Sequence, residues 1–175
     1  MKEKKLTRKH WIFCLALPVI FALDQATKIV VEHGVPLYES IPVIPGLFNI
    51  THLKNTGAAF GLFAGHASTF RTLFFAVITI GALMLILLIF RNTKGNRILT
   101  PLSLGMIMAG ALGNLVDRIR WGYVIDFLDL YWKNNHWPAF NIADSAITVG
   151  IVLVLVEHLF FHRKTEAPQE TTKPV

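Results

Sequence analysis

Thr72 to Phe90 reads TLFFAVITIGALMLILLIF, 19 residues without a charge. A helix on the surface of a soluble core keeps one face polar, whereas Leu83 to Phe90 (LMLILLIF) is apolar all round. At about 1.5 Å of rise per residue such a run crosses about 30 Å of hydrocarbon, so it reads as a membrane span. Working outward, Ile98 to Val116 is a second uncharged run of 19 residues. Trp11 to Leu23 has 13 uncharged residues and continues past Asp24, Gln25 and Lys28 to Val31; Ser145 to Val156 continues through Phe161. The last two become full spans if their polar groups lie near the ends. Four transmembrane helices are expected, at about 11–31, 70–90, 97–116 and 141–161, in a mainly α integral membrane protein.

Composition agrees. The chain has 175 residues, 53% hydrophobic and 16% charged, where ordinary soluble domains carry about 25% charged residues. That length excludes a large multidomain enzyme, and the hydrophobic content excludes disorder over most of it. One domain is expected over 1–162, with 163–175, which includes TEAPQETTKPV, as a flexible tail. A single Cys excludes an internal disulfide framework, a thiolate metal cage and a CxxC redox pair. Cys14, early in span one, reads as a small buried apolar residue.

The charges orient the bundle. Of 17 Lys and Arg, 11 precede span one, fill the link from Arg91 to Arg97 or follow span four. By the positive-inside rule these segments are cytoplasmic, and the opposite side carries the segments from Glu32 to Arg71 and from Asp117 to Asp144. The basic start followed by an apolar run also fits a cleavable signal peptide, but no A-x-A-type site follows it cleanly, so it is read as a retained span.

In the first outer segment, Tyr38 to Phe48 (YESIPVIPGLF) mixes Pro and Gly with β-branched and aromatic residues, and NITHLK follows at Asn49 to Lys54. A small extracytoplasmic β-rich segment is expected over about 36–66, lying on the membrane surface and able to cover a site. Asn55 to Gly61 (NTGAAFG) has almost no side-chain bulk and permits close approach of a ligand or helix. His52 reads as a surface or loop histidine.

The second outer segment gathers acids: Asp117, Asp126, Asp129 and Asp144, with Asp24 at the outer end of span one. A carboxylate at membrane depth is costly unless paired, hydrated or functional; the bland readings are a helix cap or an ion pair with Lys28 or Arg118. Ser or Cys nucleophilic catalysis is poorly supported, since no GxSxG occurs and neither Ser68 nor Ser145 has a His nearby in sequence. The His residues are scattered without HExxH, so no metal or other cofactor is expected. Paired aspartates remain. Two close carboxyls cannot both ionise comfortably, so the charged one can activate water while the protonated one polarises a carbonyl. Asp126 and Asp144 suit this; Asp117 and Asp129 compete on spacing alone.

Five ordered motifs then point to a family: Asp24 with Lys28, NTGAAFG at Asn55 to Gly61, NLVDR at Asn114 to Arg118, VIDF at Val124 to Phe127 and FNIAD at Phe140 to Asp144. Set around four spans, they resemble the lipoprotein signal peptidases, bacterial signal peptidase II, over roughly 11–161. The resemblance implies an aspartic endopeptidase of the inner membrane. It would remove signal peptides from diacylglyceryl-modified prolipoproteins, cutting on the N-terminal side of the lipid-bearing cysteine. It selects Asp126 and Asp144 as catalytic. Asn55, Gly57, Asn114, Arg118 and Asn141 are implied to hold substrate and orient the carboxylates, and Asp24, with Lys28, to brace the site from span one. A monomer embedded in membrane lipid is expected, without a nucleic-acid partner. Two rival readings are a proton-relaying transporter or assembly subunit, and a lipid-modifying enzyme holding Mg²⁺ through its carboxylates.

Overall fold

The computed structural model describes residues 7–57 and 68–162. In chain order the elements are α1 (Arg8–Gly34), β1 (Ser40–Ile44), β2 (Phe48–Asn55), α2 (Ser68–Asn92), α3 (Leu99–Trp121), β3 (Val124–Trp132), β4 (Asn135–His136) and α4 (Ile142–His162). Among the described residues, four helices are long and apolar enough to cross a membrane. Their outward faces are crowded with side chains such as Leu73, Met84, Leu85, Leu88, Val152 and Leu155, each more than half exposed. Such a surface is far larger than a soluble monomer leaves wet, and lipid is the solvent that accommodates it. Cys14 is exposed on α1 rather than buried, on a face that such a span turns to lipid.

α3 is central, packed against both α1 and α4. Small residues let it do so. A Cβ on Gly110 would collide with the backbone carbonyl of Ala143, so glycine there sets how closely α4 can lie. At one end of the bundle Phe13, Ile86 and Leu104 pack together, and Lys9 donates to the carbonyls of Phe90, Arg91 and Thr93, satisfying the last turn of α2.

The sheet sits at the opposite end, where α1 and α3 finish and α4 begins. Its order is β1-β2-β3-β4, all antiparallel. The β-rich segment was expected within 36–66, but half of the sheet comes from the second outer segment. VIDFLDLYW lacks the alternation that marks a strand in sequence, because both of its faces are buried from Val124 to Phe127. Residues 58–66 of the expected segment, and the tail 163–175, lie outside the described residues. β1 is the sheet edge and exposed along its length, with β2 between it and β3. His52, expected at the surface, is buried with Nδ1 2.9 Å from the Val35 carbonyl.

α3 runs five residues beyond the expected end at 116. The charges of Asp117 and Arg118 end the apolar run in sequence, but Asp117 is buried and ion-paired, so the helix continues. It stops at Gly122, whose left-handed φ of 76° suits glycine and whose N–H donates to the Arg118 carbonyl. From that cap the chain turns directly into β3. Val31 and Val35, at the end of α1, pack with Ile125 and Phe127 of β3 and anchor the sheet to the bundle.

Candidate active site

The local fold of two segments creates the site. On β3, Asp126 lies between the buried Ile125 and Phe127 and is itself 4% exposed. Opposite, β2 places Asn55 against Val124, and Asn55 Nδ2 donates to Asp126 Oδ2 at 2.9 Å. Downstream, Phe140 returns to β3: its carbonyl accepts the N–H groups of Phe127 and Leu128, and its own N–H donates to the Leu128 carbonyl. That return brings the start of α4 beside Asp126.

Asn141 caps α4. Its Oδ1 accepts the N–H of Asp144 at 3.0 Å, while Asp144 Oδ2 accepts the N–H of Asn141 at 3.3 Å, a reciprocal cap across the first turn. The other end of the same amide, Nδ2, donates to Asp126 Oδ1 at 2.8 Å. One fully buried asparagine therefore ties both aspartates together. Asp144 Oδ1 accepts from Asn114 Nδ2 at 2.8 Å.

Asn55, Asn114, Arg118, Asp126 and Asp144 line one cavity of about 840 Å³, whose lining also includes the apolar Leu130, Trp137 and Phe140. Along α4, Ser145, Thr148 and Val149 continue the lining at helical spacing. Arg118 donates to the carbonyls of Asn114 and Gly57 and stacks over Phe75 at 4.2 Å. The Gly57 N–H donates to Asn55 Oδ1, which fixes the amide donating to Asp126.

Asp24 and Lys28 stand behind the cavity. Asp24 Oδ1 accepts the N–H of Ala143, and Lys28 Nζ donates to Asn114 Oδ1. Of the competing acids, Asp117 is buried against Lys28 and Gln25, away from the cavity lining. Asp129 pairs with Asn49 and His136 further along β3. Sequence reasoning missed three contributors: Gln25, the apolar wall at 137–140 and the part Asp117 plays beside Lys28. The demand of a buried acid for a cation could have found the last. Among the described residues, no group of three or more His, Cys, Asp or Glu is placed to share a metal ion.

Electrostatically, burial first and then the neighbouring charge of Asp144 raise the Asp126 carboxyl to about 6, against the opposing hydrogen bonds from Asn55 and Asn141. Asp144 accepts two N–H donors at the N-terminal turn of a helix, where a negative charge is favoured. Such a pair can hold one proton and one charge near neutral pH.

Known proteins resemble this chain in sequence and in overall fold. Residues 16–160 match the family model described as signal peptidase (SPase) II. The lipoprotein signal peptidase of Desulforapulum autotrophicum is 52% identical over 158 residues, covering 90% of this chain and 96% of that protein. That of Geobacter metallireducens is 47% identical over 153 residues, covering 87% and 93%. A bacterial membrane enzyme solved by the in meso method at 2.3 Å superposes with a TM-score of 0.76 at 32% identity, covering 93% of each chain.

Proposed function

This chain belongs to the signal peptidase II family, and from that premise we propose that Asp126 and Asp144 are its reacting pair. The protein is a multi-pass bacterial membrane aspartic peptidase with lipoprotein signal peptidase function. Its substrates in this reading are diacylglyceryl-modified prolipoproteins, cut on the N-terminal side of the lipid-bearing cysteine. The observation that carries the mechanism is that one residue, Asn141, reaches both carboxylates at the wall of the cavity, its side-chain NH₂ donating to Asp126 and its backbone N–H to Asp144.

In the mechanism, Asp126 carries the proton and Asp144 the charge. Asp144 takes a proton from water, and the resulting hydroxide oxygen adds to the scissile carbonyl carbon. The carbonyl oxygen receives the Asp126 proton, giving a neutral gem-diol. Asp144 then passes its proton to the amide nitrogen as the C–N bond breaks, and Asp126 recovers a proton from a gem-diol hydroxyl. Both carboxyls return to their starting states, and no covalent enzyme intermediate forms. Asn55, Asn114 and Asn141 orient the carboxylates. Arg118 holds Gly57 beside them, and its remaining donors suit the peptide carbonyls of a substrate that has left water.

Orientation follows from charge. With the basic segments cytoplasmic, both termini face the cytosol and the cavity lies near the outer face of the inner membrane. There a signal helix and a lipidated cysteine arrive laterally from the bilayer, and a monomer suffices. The test is cleavage of a lipidated precursor by the detergent-solubilised enzyme in EDTA. Cleavage that persists in chelator and disappears in folded Asp126→Asn and Asp144→Asn variants supports the pair. Wild-type turnover in either variant refutes it.

A further inference from the structure

Behind the cavity lies a buried ionic cluster that the reaction does not touch. Lys28 Nζ pairs with Asp24 Oδ2 at 2.9 Å and with Asp117 Oδ2 at 2.5 Å, and all three side chains are fully buried. Its third partner is Asn114 Oδ1 at 3.0 Å. An ammonium has three donors and no acceptor, so Lys28 is fully committed.

That commitment fixes a second side chain. An asparagine amide can turn over with almost no change of shape, exchanging its oxygen for its NH₂ group. Lys28 can only donate, so the Asn114 oxygen must face it. The Asn114 NH₂ must then face Asp144 Oδ1, 2.8 Å away. Lys28, the nearer of two donors to that oxygen, with Asn141 Nδ2 at 3.4 Å, thereby governs what Asp144 meets without lining the cavity.

What holds Lys28 is the remaining question. Its side chain has four rotatable bonds, and Asp24 on the same helix already neutralises it. A second buried carboxylate leaves the cluster with excess negative charge, which pairing alone does not require and burial penalises. Asp117 supplies position instead. It approaches from α3, the helix that carries Asn114, and its other oxygen accepts Gln25 Nε2 at 2.9 Å. The ammonium is thus clamped between α1 and α3 at the height of Asn114.

We propose that Asp117 is a positioning residue for the peptidase reaction, acting through Lys28 and Asn114 to orient Asp144. The inference rests on the reading of Asp126 and Asp144 as the reacting pair.

Steady-state cleavage of a lipidated precursor by solubilised wild type, Asp117→Asn, Lys28→Met and the double variant tests it, with the folded fraction of each measured by thermal melting. Asp117→Asn should lower kcat about 10- to 100-fold, the usual scale for losing an outer partner of a working group, with KM within about twofold. The double variant should be no slower than Lys28→Met, because both changes break one chain of contacts. A kcat for folded Asp117→Asn within about twofold of wild type overturns the proposal, as do losses that multiply in the double variant. Should Asp117→Asn not fold, Gln25→Leu decides: a loss of at least about threefold in kcat at unchanged KM supports the clamp, and wild-type kcat overturns it. Cleavage by Asp126→Asn or Asp144→Asn removes the premise. Inert versions of those two beside an unimpaired Asp117→Asn remove this inference alone.

Discussion

Asp24 on α1 accepts the backbone N–H of Ala143 on α4 at 2.9 Å, so the first helix caps the fourth one residue before Asp144. The first turn of a helix leaves N–H groups without intrahelical partners. Here two of them are satisfied from different directions: Ala143 by Asp24 and Asp144 by Asn141. The turn that carries Asp144 is therefore held both by its own segment and by a helix distant in sequence.

This cap depends on a missing side chain. A Cβ on Gly113 would stand 2.5 Å from Asp24 Oδ2. Gly113→Ala should displace Asp24 from α4, costing about 1–3 kcal/mol of stability as an overpacked site does, and reducing cleavage together with Tm. Gly81→Ala is the control, because nothing lies within 4 Å of a Cβ there. Thermal melts and cleavage rates of the two variants check this; an unaltered Gly113→Ala would show that Asp24 has room to move.

The raised carboxyl of Asp126 makes the site a liability for stability at neutral pH. Its folded value, about 6, lies above the ordinary 3.8, so the folded chain binds the proton more tightly than the unfolded one. Stability is then highest below the unfolded value and falls as pH rises through the folded value. A shift of about two units corresponds to about 3 kcal/mol lost between pH of about 4 and 7. Asp126→Asn does not titrate and should lack this fall. Denaturant midpoints of both proteins across that range measure the difference, and parallel pH dependences would contradict it.

Activity should carry the same signature. If Asp126 must enter the reaction protonated, kcat/KM for the free enzyme falls on the alkaline side with a midpoint near the folded value of about 6. The midpoint belongs to the coupled pair, so Asn55→Ala, which removes a hydrogen bond favouring the Asp126 carboxylate, should move it upward. A pH–rate profile of each enzyme tests this; a downward move would reverse the assigned roles.

Asn141 allows its two duties to be separated. Asn141→Ser keeps a side-chain oxygen able to cap the Asp144 N–H but removes the donor to Asp126. Asn141→Ala removes both. Serine should recover most of the stability lost in alanine, about 1 kcal/mol, while both variants cleave at least about tenfold more slowly than wild type. Equal activity in serine and wild type would assign Asn141 to the helix alone.

Much of the fold was legible in the sequence because it rests on local signals. Apolar length marked the spans, and the Pro, Gly and β-branched mixture of YESIPVIPGLF marked a β segment where β1 and the start of β2 stand. The motifs that carried the family resemblance hold Asn55, Asn114, Arg118, Asp126 and Asp144 of the cavity lining, but not its apolar part at Leu130 and Trp137. Spacing alone could not rank Asp126 over Asp117 and Asp129, because all three are acids near the same boundary. The structure separates them by partner: Asp117 faces Lys28, Asp129 faces His136, and Asp126 faces the cavity.

Four spans, their approximate limits and a charge asymmetry across them are properties of the chain read one window at a time, since hydrophobic length acts locally. The third strand, the return of Phe140 to β3, the cap from Asp24 to Ala143 and the clamp on Lys28 join residues from about 12 to 119 positions apart. Hydrogen bonds and ion pairs of that kind depend on which helices meet and at what height. Only close packing of α1, α3 and α4 around glycine fixes this.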